Sequence, residues 1–244
     1  NIISCNRDYN PLFDSIKVKI QDENGIFNKD TIVGYIPKEL KIFKPCKSYK
    51  YNSKLLDRKG NIISISKIGV IALGKRWAYD SNQDAVMYLY SNKLNDKIKY
   101  KAHDINSSIN IWTDFEETGV IENNNKIWMH PFRSNQYELT QVCPFPEVSF
   151  PLYKGKSYSS TLKIENGWGA WSHSSGNFLY TVKGEEKFPL KDGSKIPVWK
   201  IESSAWYSFG KSTLDFYYSE EVGFVKFIFK AYDGLQLIIE LEKY

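Results

Sequence analysis

The side chains able to do chemistry are few and widely spaced. Histidine occurs three times, at His103, His130 and His173, and cysteine three times, at Cys5, Cys46 and Cys143. No two histidines stand in the HxH, HExxH or HxxxH patterns that place two imidazoles on one metal ion. Neither Cys46 nor Cys143 has a second Cys or His at ligand spacing, so no metal and no cofactor is expected. The nucleophile-elbow, phosphate-loop and dinucleotide patterns are absent as well. Cys143 with His130 or His173 stays open as a nucleophilic pair, without a local signature to support it. Carboxylates are doubled at Glu116-Glu117, Glu185-Glu186 and Glu220-Glu221. Adjacent strand residues point to opposite faces, so such doublets solvate turns rather than converge as acid and base.

The most unusual cluster is Trp128, His130 and Arg133. On a strand Trp128 and His130 share a face, and Pro131 then ends the ladder and leaves Arg133 at the rim. Ring, imidazole and guanidinium would together grip an anionic or sugar-like molecule. The plainer reading has His130 hydrogen-bonded to backbone, fixing a proline-rich crossing. Trp168 and Trp171, with Tyr180, form a second candidate, an aromatic platform for carbohydrate. The glycines flanking Trp168 equally suit a turn packed tightly over a core.

The N-terminal Ile2-Ile3-Ser4-Cys5 looks like a lipobox, in which a small residue precedes a cysteine that is acylated after signal-peptide cleavage. It predicts lipidation at Cys5, residues 1–9 as lipobox and tether, and a membrane partner through the lipid anchor. Cys46 and Cys143 each adjoin a proline, hence extended or turn backbone. In an exported protein they are expected either as a disulfide or as two isolated core thiols.

These residues must be positioned by strands. The 244 residues include 7 Trp, 17 Tyr and 14 Phe, a load that suits sheets. Apolar and polar residues alternate at Ile16–Ile20, Ile98–Ala102, Tyr158–Ile164 and Leu235–Leu241, Val86, Tyr88 and Tyr90 alternate with Met87 and Leu89, and Ile62–Leu73 reads as one or two buried strands. Only Pro37–Phe43 hints at a helix. Turns fall at Asn123-Asn124-Asn125, Asn166-Gly167, Asp192-Gly193 and Asp233-Gly234. From Ser107 to Tyr153 four prolines mark a long excursion, across the surface or between sheet halves. The expected fold is all-β: a curved antiparallel sheet, an open barrel or a sandwich, ending in an up-and-down meander. Residues 10–244 read as a single domain, with a subdivision near 104–125 as the alternative.

Net charge is +5 overall, divided as +9 over residues 1–103 and −4 over the rest. The densest basic run, Lys38–Lys59, reads either as a patch for an anionic partner or as lysines solvating strand edges. With Arg58 its one arginine, and no recognition helix, the run argues against nucleic acid.

Lys126-Ile-Trp-Met-His-Pro-Phe-Arg133, Pro144-Phe-Pro-Glu147, Pro151-Leu-Tyr-Lys-Gly155 and Gly167-Trp-Gly169 resemble a group of uncharacterised envelope lipoproteins. Tyr180–Glu186, Trp199–Ile201 and Tyr217–Gly223 look like a broader family of exported β-proteins of unknown function. The resemblance covers Lys126–Tyr244. It implies a curved antiparallel sheet and a cell-envelope location, at the periplasmic or outer-membrane surface, and supplies no catalytic residues. The expected role is a non-catalytic binding or assembly module with a carbohydrate or an envelope protein as partner. The alternative is a hydrolase of envelope carbohydrate or lipid that uses carboxylates and His130.

Overall fold

The computed structural model describes residues 4–8, 13–21, 27–37, 40–91, 113–166, 168–191 and 193–244. Two strands, β1 (Phe13–Gln21) and β2 (Phe27–Pro37), pair with each other as an antiparallel hairpin. The alternation at Ile16–Ile20 thus lies on a strand. The strand expected at Ile98–Ala102, and His103, lie outside the described residues, as do the turn residues Gly167 and Asp192.

Twelve further strands form one sheet. In chain order they are β3 (Ser48–Leu56), β4 (Ile62–Trp77), β5 (Asp80–Tyr90), β6 (Phe115–Glu122), β7 (Lys126–Met129) and β8 (Glu147–Ser149). After the midpoint come β9 (Ser157–Lys163), β10 (Ser175–Pro189), β11 (Lys195–Tyr207), β12 (Gly210–Ser219), β13 (Gly223–Lys230) and β14 (Gln236–Lys243). The spatial order is β8-β7-β6-β5-β4-β3-β14-β13-β12-β11-β10-β9, antiparallel throughout, and the sheet curls into a nearly closed barrel. The open-barrel form of the expected fold is therefore the one adopted. Every neighbouring pair is consecutive in sequence except β3 and β14, which zip the two ends of the meander together. The opening consequently falls in the middle of the chain, between β8 and β9.

That seam is bridged by side chains instead of a ladder. Tyr158 donates its hydroxyl to the Glu147 carbonyl at 2.5 Å, and Lys156 Nζ donates to the Ser149 carbonyl at 2.7 Å. Two backbone acceptors on the free edge of β8 are thus satisfied without a partner strand.

Alternation sets what faces inward. Along β3, Tyr49, Tyr51, Ser53 and Leu55 are buried while Ser48, Lys50 and Lys54 are exposed. Lys50 and Lys54 of the basic run thereby stand on the outer face of β3. A barrel of eight strands is just filled by its own side chains, so twelve leave a lumen that needs further filling. Residues 131–146 supply it. This connection between β7 and β8 contains a 3-10 helix, Asn135–Val142, and buries Phe132, Tyr137, Val142 and Cys143 completely. Phe132 packs on Tyr51, Tyr88 and Phe227, and Tyr137 stacks on Tyr90. Residues 131–146 of the proline-rich excursion therefore run inside the sheet, while Pro151 and Tyr153 at its end are exposed.

A buried connection must have its backbone polar groups satisfied. Here the barrel's tyrosines and the segment's own side chains serve. Tyr88 donates to the His130 carbonyl at 2.6 Å and Tyr180 to the Phe145 carbonyl at 3.0 Å. Gln141 donates to the Arg133 carbonyl at 3.3 Å, and the Thr140 hydroxyl to that of Phe132.

The helix expected over Pro37–Phe43 does not form among the described residues of that stretch. β2 runs through Pro37, and residues 41–43 are bends. Three successive amides, of Lys41, Ile42 and Phe43, donate to the Glu122 carboxylate, each at 2.8 Å. Amides that all converge on one carboxylate are not available to carbonyls four residues back, as a helix requires. Ile42 and Phe43 are thereby drawn into the core at one end of the barrel.

Candidate functional site

Trp128 and His130 do come together, with ring centroids 4.6 Å apart. Trp77, from the end of β4, lies 5.3 Å from the His130 ring and Phe145 6.0 Å from it, so the imidazole is walled by three aromatic rings. Gly119 makes room for this cluster, since a Cβ there would press on Trp77 Cε3 at 2.7 Å and on the Gln83 side chain. Burial, aided by the nearby Arg133 charge, pushes His130 down to about 3. A ring so held is neutral at ordinary pH and a weak base.

Arg133 is committed elsewhere. It forms an ion pair with Glu116, whose carboxylate also accepts from Tyr90 Oη at 3.0 Å and Ser134 Oγ at 2.8 Å. The expected triad of ring, imidazole and guanidinium is thus split, with its cation bonded to protein.

Trp168 and Trp171 form no joint platform. Trp171 is 4% exposed and donates its indole N–H to the Tyr232 hydroxyl at 3.2 Å, while Trp168 is half-buried against the core. A run of ring contacts starts at His130 and ends at Tyr232, the hydrogen-bond partner of Trp171. It passes from His130 through Phe145, Phe178, Tyr207 and Phe209 to Tyr232. Packing is what these rings do.

The cysteine pairing requires a correction. Cys5 is bonded to Cys46, with Cα atoms 5.5 Å apart, and Cys143 is free and buried. The expected Cys46–Cys143 bridge is excluded because Cys143 sits inside the barrel, donating its thiol to the Leu139 carbonyl at 3.5 Å. Cys5, the expected lipidation site, has its sulfur in this bond, and a disulfide sulfur has no thiolate to accept an acyl group. The stretch expected to be a tether is pinned to the barrel: Asn6 N–H donates to the Leu73 carbonyl at 2.9 Å beside Gly74, where a Cβ would collide with the Asn6 carbonyl. Cys143 has no access to solvent and its thiol pKa is raised far by burial, so it makes no nucleophilic pair. Among the described residues no group of three or more His, Cys, Asp or Glu is placed to hold a metal ion.

A different constellation does open to solvent. A cavity of about 240 Å³ lies where the β6–β7 turn, the residues around Lys41 and the end of β12 meet. Ile127, Phe150 and Tyr218 give it apolar lining. Glu122, Asn123, Asn124, Lys41 and Glu220 give it polar walls. Its geometry is set by neighbours already bonded. Glu122, 6% exposed, is held by the three amides described above. Asn123 Oδ1 accepts the amides of Asn125 and Lys126, both at 2.9 Å, which shapes the turn. Phe150 packs on Tyr218 at 6.1 Å. The three asparagines read only as a turn in the sequence, and nothing local linked them to Lys41 or Tyr218.

Fold and cavity together define a plugged antiparallel barrel with a small mixed polar and apolar site at one rim. No family model and no curated protein matches the chain. Three solved structures do. A candidate lipoprotein from Parabacteroides distasonis is 13% identical, aligned over 84% of this chain and 99% of its own, with a TM-score of 0.42. The hypothetical lipoprotein YmcC from Escherichia coli is 9% identical over 84% of this chain and 90% of its own, with a TM-score of 0.36. A candidate exported protein with a YmcC-like fold from Bacteroides fragilis is 9% identical over 81% and 95%, with a TM-score of 0.38. The group that Lys126–Tyr244 resembles is of the same description.

Proposed function

We propose that this chain is a non-catalytic binding module of the cell envelope, and that the rim cavity is its ligand site. The observation that carries the proposal is the cavity's construction: polar and apolar side chains line one small space, on a frame of bonded carboxylate, turn and strands. Sites for small molecules are concave and largely pre-formed; this one is framed by bonded neighbours, with a lining more polar than apolar. The Cys5–Cys46 disulfide supports residence in an oxidising compartment, where such bonds persist. A binding role is favoured over hydrolysis because the groups suited to acid–base work are occupied. Glu116 is engaged by Arg133, Tyr90 and Ser134, Glu122 by three amides, and His130 is enclosed by rings.

The test is a thermal-shift screen of small polar molecules against the full chain, repeated on Asn124→Trp, which fills the cavity from an exposed turn. A ligand at 100 times its Kd should stabilise the protein by about 2.7 kcal/mol. The shift should vanish in the filled variant. A shift of equal size in both proteins would place the site elsewhere and refute the assignment.

A further inference from the structure

The cavity's lining discriminates among ligand classes. We infer that it takes one neutral, hydroxyl-rich ring, a single sugar residue whose apolar face lies on Phe150; this rests on the rim cavity being the ligand site. Charge is the first reason. Lys41 stands against Glu122 and Glu220, so the walls carry more negative than positive charge and disfavour an anion. The Glu122 carboxylate is already met by three amides, so it offers little further attraction to a cation.

Hydrogen-bonding capacity is the second. A sugar hydroxyl both donates and accepts, and adjacent hydroxyls match planar groups that present two polar atoms side by side. Asn123, Asn124 and Glu220 are three such groups lining a small space. Asn123 spends its carbonyl oxygen on the turn, and its amide nitrogen is the donor it has to offer. Tyr218 adds a polar group. The residue is 3% exposed and lines the cavity.

Shape is the third. The face of a sugar ring that carries C–H groups is flat and apolar, and an aromatic side chain covers it with little loss of entropy. Phe150, half-buried and braced by Tyr218, provides that surface. At about 240 Å³ the cavity falls below the roughly 300–1,000 Å³ of sites for drug-sized molecules. It therefore holds one ring, and further residues of a glycan would extend into solvent.

The experiment is an NMR titration of the full chain with methyl glycosides of glucose, galactose and mannose and with N-acetylglucosamine, alongside glycine, leucine and glutamate as zwitterionic probes. At least one sugar should shift the amide resonances of Lys41, Asn123 and Asn124. Its Kd should rise about tenfold in Asn124→Ala, in Glu220→Gln and in Tyr218→Phe. Asn124 and Glu220 are exposed, so loss of folding does not confound those two variants. Sugar binding that ignores all three substitutions overturns the inference. Binding of an amino acid but of no sugar, lost in Lys41→Met and Glu220→Gln, overturns the sugar assignment and leaves the binding-module reading standing. A cavity unperturbed by every probe overturns both.

Discussion

The Tyr137 hydroxyl lies 2.8 Å from the Ser53 hydroxyl inside the barrel, and this pair ties the lumen-filling segment to the wall strand β3. Tyr137 is fully buried and Ser53 nearly so, so neither hydroxyl has water to fall back on. Tyr137→Phe should lower unfolding free energy by about 1–2 kcal/mol, the cost of stranding the Ser53 hydroxyl. Phe132→Ala, which hollows the contact with Tyr51, Tyr88 and Phe227, should cost about 3–5 kcal/mol. Equilibrium urea unfolding measures both. A near-zero effect of Phe132→Ala would mean that the segment does not fill the lumen.

Glu122 organises the residues beside the cavity. Hydrogen bonds to a charged acceptor contribute about 1.5–3 kcal/mol each, and part of that returns when water reaches the freed amides. Glu122→Ala should therefore destabilise by about 3 kcal/mol and weaken ligand binding at the rim. Amide hydrogen exchange at Lys41, Ile42 and Phe43 should accelerate in the variant. Unchanged protection at those three positions would show that Glu122 does not hold them.

Thiol titration under denaturing conditions should find one free thiol per chain, from Cys143, and three after reduction. Cys5 and Cys46 are 41 residues apart in sequence, and closing a loop of that size removes unfolded-chain entropy equivalent to about 4 kcal/mol. The double variant Cys5→Ser, Cys46→Ser should lose up to that amount. Three free thiols in the oxidised protein would refute the bridge.

Two buried groups act on stability with opposite signs as pH changes. Burial pushes Glu138 up to about 7, so between its unfolded value near 4.5 and pH 7 the folded state holds more protons. Stability from this group is complete below the unfolded value and declines as pH rises through 7. Glu138→Gln should then stabilise the protein at pH 8 and have little effect at pH 4. His130 is pushed down to about 3, so the unfolded state binds the extra proton below about 6.5. Its contribution is complete above 6.5 and falls as pH drops toward 3, and His130→Phe should flatten that acid limb. Urea midpoints of wild type and both variants at pH 4, 6 and 8 decide the signs.

Where strand character depends on neighbours two residues away, it was legible. Tyr49, Tyr51 and Leu55 face in and Lys50 and Lys54 face out because successive side chains of a pleated chain alternate. The Asn123–Asn125 turn was equally plain, since asparagine carbonyls bond their own downstream amides. Pro37–Phe43 failed as a helix for a reason lying 79 to 81 residues downstream, at Glu122. The cysteine pairing failed in the same way. Proline neighbours describe the backbone at Cys46 and Cys143, yet which sulfur meets which depends on β4 carrying Cys46 and the Asn6 backbone together.

The tryptophans show the limit most sharply. Trp128, His130, Trp168 and Trp171 are chemically capable of gripping a ligand, and the fold uses them to pack one another and the barrel wall. The cavity is lined instead by Lys41, Asn124, Phe150, Tyr218 and Glu220, residues of common type drawn from four separate stretches.

Local alternation by itself determined that this chain is a meander of antiparallel strands, because the pleat repeats every two residues and needs no distant partner to be read. Tertiary structure alone decided that the meander closes through β3 and β14, that residues 131–146 fill it, that Cys5 takes Cys46, and where the rim cavity opens. Each of those is a meeting of groups tens to nearly two hundred residues apart, and such meetings are selected by the joint packing of the whole barrel.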